Sequence, residues 1–418
     1  MDIKIFSLPN GLRVLYKYIP YTRIVHCGYV INVGSRDDRP DELGMTHFLE
    51  HVIFKGTPKR KTFHVLNYLE SVGGDLNAYT TKEKTYLYAS LRAEYCGRAT
   101  ELLTDIAFHA TFPEKEIVKE QQVVSEEIDS YRDTPDEAIY EDFDQIIFPG
   151  HGLGHPILGT KESVKQFTQD KIKRHVEHFY TPDNMVYTII GNVLEKDVKK
   201  LIDKYLRDIP AKKRPPYTRS TSGAYNPQTL TQQVSTNQSY EIYGGRAYSL
   251  SDDKIFPFSL MNNILGGPAM NSRLSLNIRE RYGLAYSIYS FYSPFSDDGI
   301  WGVFYACEDK NRERIHRLVD KELKIFRNKK LGSLQLHQAK KQVIGQLTLR
   351  YEDLLTQLFS YSRQILNFGQ LESFKDHITQ IESVTAEQVQ EVANEIFVET
   401  QLTQLTYLPT PEKQLHFS

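Results

Sequence analysis

This sequence runs through one plan twice, with a break between the two passes. Apolar alternation marks strands at about 3–8, 12–18 and 24–33, separated by Pro9-Asn10-Gly11, a turn signal, and by Pro20. Helical spacing follows at 42–54 and 63–72. Gly73-Gly74 then opens a hairpin at 76–81 and 85–91, three helical stretches fill 93–147, and a helix at 161–179 and a strand at 185–190 close the pass. The segment 211–227 is rich in Pro, Ser and charge and poor in aliphatic residues, so it reads as a linker. Beyond it come a strand-like start, a helix at 257–265, a hairpin about 293–299, helices up to 397 and a strand at 402–408. Two alignments tie the passes together. Ser163-Val164 and Ser383-Val384 each begin a helical stretch that ends in Phe (Phe179, Phe397) and is followed by a strand, and Ile117, Val124 and Ile128 match Leu336, Val343 and Leu347 in spacing.

Runs of strands followed by runs of helices indicate an α+β fold, because a doubly wound parallel sheet needs regular alternation. The expectation is two similar halves, each a mainly antiparallel sheet with helices packed on one face. The N-terminal domain spans 1–210 and the C-terminal domain 228–418. The 51 basic and 53 acidic residues leave a net charge of −2, so nothing in bulk steers the chain to nucleic acid or to an anionic membrane. No stretch approaches the roughly 18 consecutive apolar residues of a membrane span, and no secretion signal opens the chain, so a cytoplasmic location is expected unless a signal was removed. Cys27, Cys96 and Cys307 are odd in number and far apart. A metal site here must therefore use His and carboxylate.

Such a site is written in His47-Phe48-Leu49-Glu50-His51. On a helix His47 and His51 are one turn apart, with Cβ atoms about 5–6 Å from one another, which lets both imidazoles bind one Zn²⁺. Glu50, at the edge of that face, can act on water without ligating. This is the HxxEH order of the inverted zincins. A tetrahedral catalytic zinc needs a third protein ligand and keeps one position open. Candidates crowd residues 114–144, where twelve acidic residues face three basic ones. At about 100° per residue, Glu126 points away from the inward stripe of Ile117, Gln121, Val124, Ile128 and Tyr131, whereas Glu120 and Glu127 fall on one border of it. Either is the ligand, and the other is the acceptor that orients a histidine. In the second pass Glu120 aligns with Ala339 and Glu127 with Gln346, and no HxxEH occurs, so that half is expected to be metal-free.

Over nearly its whole length the chain resembles the pitrilysin and insulinase superfamily of zinc peptidases, in its shorter, processing-peptidase-like branch. The resemblance rests on Leu8-Pro9-Asn10-Gly11-Leu12-Arg13-Val14, the stretch 44–57, Asn77-Ala78-Tyr79-Thr80, Val124-Ser125-Glu126-Glu127-Ile128, Asn271-Ser272-Arg273-Leu274 and residues 278–287. It implies one zinc per chain held by His47, His51 and Glu127, with Glu120 behind a histidine and Glu50 as general base in peptide-bond hydrolysis. It also implies that Arg279 and Tyr286 stabilise the oxyanion, and that the chain works as a dimer, with this pair reaching the partner's zinc site. A homodimer is expected and a heterodimer with a related subunit is possible. Where members of that superfamily often have a longer glycine-rich loop, this chain departs with Leu265-Gly266-Gly267-Pro268-Ala269-Met270. Asn77, Ala78 and Tyr79 read as an edge strand able to pair with an extended peptide. The acidic stretch suggests a preference for basic peptides. The alternative function is a non-catalytic scaffold or peptide-holding subunit of the same fold.

Overall fold

The structure is a computed structural model and describes residues 3–410. The first half contains strands β1 (Ile3–Ser7), β2 (Arg13–Tyr18), β3 (Ile24–Ile31), β4 (Asp75–Thr80), β5 (Thr85–Arg92) and β6 (Met185–Gly191). Its helices are α1 (Met45–Val52), α2 (Thr62–Glu70), α3 (Cys96–His109), α4 (Glu114–Arg132), α5 (Pro135–Ile147), α6 (Lys161–Val164), α7 (Gln169–Phe179) and α8 (Glu195–Leu201). The second half contains β7 (Thr229–Val234), β8 (Ser239–Ala247), β9 (Ser287–Pro294), β10 (Gly299–Cys307) and β11 (Thr403–Pro409). With them run α9 (Ile255–Gly266), α10 (Asp309–Asn328), α11 (Ser333–Glu352), α12 (Leu354–Phe368), α13 (Phe374–Ser383) and α14 (Ala386–Ile396).

The expected α+β halves are present. The first sheet has the order β1-β2-β6-β3-β5-β4 and the second β7-β11-β8-β10-β9. Only β2 with β6 and β11 with β7 pair in parallel. The single helix expected at 161–179 is two, because residues 165–168 leave the helical path between α6 and α7. Thr160 caps α6 and Thr168 caps α7.

Side-chain alternation shows how each sheet is covered. In the first sheet Val14, Tyr16, Cys27, Tyr29, Tyr187 and Ile189 point into one core with α1, α2 and α3. Leu15, Val30, Val186 and Ile190 point the other way, against Leu358, Tyr361 and Ile365 of α12. These three recur at helical spacing, and full burial of each such side chain contributes roughly 1.5–3 kcal/mol. A buried Thr188–Ser362 hydroxyl pair at 2.8 Å and a bond from Lys17 Nζ to Gln357 Oε1 at 2.5 Å satisfy the polar groups of the contact. The second sheet follows the same rule. Trp301, Val303 and Tyr305 face the core built with α9, α10 and α14, whereas Ile300, Phe304 and Leu405 face Ile139, Phe143 and Ile147 of α5.

The compact units are therefore discontinuous in sequence. One comprises the chain up to Ile128, His155–Ser220 and Leu349–Glu372; the other comprises Asp129–Gly154, Thr221–Thr348 and the chain from Ser373 onward. Strands β1–β6 lie within residues 3–191 and β7–β11 within 229–409, and each unit also holds a helix from the opposite half of the sequence. The linker segment is irregular between 210 and 228. Its Arg219 lies against Asp37 with two bonds of 2.9 and 2.8 Å. No helix of the described residues is long and apolar enough to cross a membrane, and all three cysteines are buried and unbonded.

Candidate metal centre

Helix α1 starts at Gly44, whose φ of +83° suits a residue without Cβ. His47 and His51 fall one turn apart, and their ring centroids are 4.8 Å from each other. Across from them α4 presents Glu120 and Glu127 two turns apart. His51 Nε2 lies 3.3 Å from Glu127 Oε2, and His47 Nε2 lies 3.8 Å from Glu127 Oε1. One ligand atom from each of the three falls within 4.8 Å of the others. Glu120 stands behind: its Oε2 is 3.2 Å from His51 Nδ1, and its Oε1 is 2.6 Å from Lys55 Nζ. Glu120 thus holds the proton on His51 Nδ1 and keeps Nε2 aimed at Glu127, the nitrogen that would be free to ligate once a metal ion displaced its proton.

The electrostatics divide these groups. Burial drops His47 to about 4, His51 adding to the fall and Glu127 opposing it. Burial also pulls on His51, but Glu120 and Glu127 outweigh it and lift that imidazole to about 9. Burial raises Glu50 above the usual carboxylate range against the opposing effects of Thr80 and His51. The hydrogen bond with His51 holds Glu127 below that range. Two observations test whether a metal ion fits. The donor set of two imidazoles and one carboxylate, without thiolate, suits a divalent zinc with a position left open. In addition, Glu50 Oε2 and His47 Nδ1 are buried without a hydrogen-bond partner among the described residues. Polar atoms left this way are costly unless water or an ion attends them.

Comparison with known proteins agrees with this geometry. The family described as insulinase, peptidase family M16, matches residues 13–161, and the M16 inactive domain matches residues 166–343. The Bacillus subtilis protein named uncharacterized zinc protease YmxG is 31% identical over 397 residues, covering 95% of this chain and 96% of its own. The chain belongs to peptidase family M16. An uncharacterized zinc protease of Streptomyces coelicolor is also 31% identical, over 93% of this chain and 86% of its own. A protease from Helicobacter pylori shares the fold at a TM-score of 0.90, with 20% identity over 98% of this chain and 99% of its own. An M16 inactive domain structure from Pseudomonas fluorescens matches at 0.89, with 17% identity over 98% of each chain.

The remaining M16 site residues anticipated from sequence are placed as follows. Asn77, Ala78 and Tyr79 lie on β4, which pairs only with β5 and forms an edge of its sheet. The Tyr79 ring is stacked on Tyr86 at 4.1 Å and meets Phe359 of α12 edge-on, so this side chain is committed to packing, and the strand offers its backbone. Arg279 belongs to a π-helical turn, Ser275–Glu280, and its guanidinium is held by Glu280 at 2.9 Å. Tyr286 stands one residue before β9, and its side chain is 86% exposed. At the position aligned with Glu127, Gln346 accepts a 2.7 Å bond from Asn263 of α9. A neutral amide pair therefore joins those helices. Sequence reasoning missed Lys55, which lies four residues after His51 and just beyond the end of α1; that spacing was the available signal.

Proposed function

We propose that this chain is a zinc-dependent endopeptidase of family M16 that hydrolyses peptides or unfolded polypeptide segments. The observation that carries the reading is the convergence of His47, His51 and Glu127 beside a buried, unpartnered Glu50 oxygen. His47 Nε2, His51 Nε2 and the Glu127 carboxylate would hold the ion. Zinc bound there supplies Lewis acidity, which polarises a peptide carbonyl and eases deprotonation of water. Glu50 Oε2 takes the proton from the attacking water and returns it to the leaving amine. Lys55 and Glu120 keep His51 turned toward the ligand set. The backbone of β4 aligns an extended peptide by strand addition, and Arg279 with Tyr286 stabilises the developing oxyanion. We place the chain in a homodimer in which that pair serves the partner's site.

The deciding experiment combines zinc quantitation with a chelator-sensitive cleavage assay on unstructured peptides. Glu50→Gln is expected to keep zinc and lose cleavage by at least about 100-fold. Undiminished turnover in that variant refutes the mechanism, and a zinc-loaded wild type that cuts nothing supports a peptide-holding subunit instead. Mixing Glu50→Gln with Arg279→Ala chains restores activity if the pair acts across the dimer.

A further inference from the structure

The two histidines of the proposed zinc site are oriented by different means. His51 has an acceptor on its far nitrogen, because Glu120 meets Nδ1 and Lys55 backs Glu120. His47 Nδ1 has no hydrogen-bond partner among the described residues. It is also the third residue of α1, in the turn where helical backbone donors lack partners within the helix. The residue at the start of the helix is Gly44, which has no side chain to cap them.

The cap comes from outside the helix. Asp38 Oδ2 accepts the Gly44 N–H at 3.0 Å, and Asp38 Oδ1 accepts both the Thr46 N–H at 3.1 Å and the Thr46 hydroxyl at 2.5 Å. Asp38 and Thr46 are buried, at 5% and 0% exposure. The turn is gripped from the other side as well. A Cβ on Gly44 would come within 2.3 Å of Leu158 O, and one on Gly159 within 2.2 Å of Leu43 O. Ser163 Oγ donates to Leu43 O at 2.6 Å.

We infer that Asp38 is a positioning residue for His47: by capping the first turn of α1 from six residues upstream, it fixes through the backbone the imidazole whose Nδ1 no side chain engages. The inference rests on the zinc reading above. Three donors on one buried side chain tie Asp38 to this turn and offset part of the burial that pushes its carboxyl well above the usual carboxylate range.

The test is a double-mutant cycle on zinc affinity, measured by chelator competition on the full chain. Asp38→Ala is expected to weaken zinc at least about 10-fold in the wild type, the effect typical of losing support behind a ligand. In a His47→Ala background the same change is expected to have little further effect, whereas Glu120→Gln still weakens zinc because it acts through His51. Asp38→Asn, which keeps one acceptor oxygen and the side-chain volume, is expected to lie between and serves in the cycle if the alanine variant does not fold. An equal loss in both backgrounds, or none in the wild type, overturns the inference. A wild type that does not bind zinc refutes the zinc reading itself and is distinguishable from either result.

Discussion

Glu50 and Glu127 lie beside the same imidazoles and are driven in opposite directions. Burial lifts Glu50, while a bond to His51 holds Glu127 down. The same residue type is thus shifted in opposite directions by its surroundings, as the two proposed roles require. Glu120 is a third case. Burial would raise it, but His51 and Lys55 prevail and keep it anionic. Glu120→Gln is expected to lower zinc affinity about 10-fold or more in chelator competition. Glu126→Gln, on the exposed side of α4, is expected to leave it unchanged. In the other compact unit, Glu241 is fully buried and accepts from Tyr305 at 2.5 Å and from His316 at 2.7 Å. Burial pulls His316 down, yet Glu241 prevails and raises it above the ordinary 6.5, with Asp320 adding and Arg312 opposing. A raised native pKa stabilises fully below 6.5 and loses its contribution as pH climbs through the native value. The unit containing β10 is therefore expected to weaken as pH rises above 6.5, and His316→Gln to flatten that slope. Urea unfolding followed by Trp301, the sole tryptophan, reads it directly. At this scale spacing exposed His47, Glu50 and His51 and narrowed the third ligand to two carboxylates. Asp38 was hidden because its partners are backbone N–H groups, which leave no trace in residue identity.

At the scale of elements, the pattern of α12 was legible as an amphipathic helix, but nothing local says which sheet receives it. Leu358, Tyr361 and Ile365 have the spacing any core-facing helix has. The destination depends on the complementary row of Leu15, Val30, Val186 and Ile190, some 170 to 340 residues earlier in the chain. Leu358→Ala is expected to cost about 2–5 kcal/mol. Hydrogen exchange is expected to show the loss at β2, β3 and β6, although the substitution lies in the second half of the sequence. Uniform loss confined to the second sheet would contradict the packing described. The strands themselves were readable to within a residue or two at β4, β5 and β6.

For the whole molecule, the repeat predicted two sheets and two sheets are present, but each compact unit draws on both passes of the plan. A fragment of residues 1–220 is therefore expected to fail as an independent domain, exposing the row that α12 covers. Dye binding by exposed apolar surface and sedimentation check this, and adding residues 221–418 in trans is expected to restore solubility. The exchange also has a consequence in time. A ribosome releases Ser220 and then must add 152 more residues before Glu372, the end of the returning segment, exists. At about 5–20 residues per second, the first sheet waits roughly 8–30 seconds with one side bare. Nascent chains of this protein thus spend that interval as clients for whatever in the cell shields unfinished apolar surface.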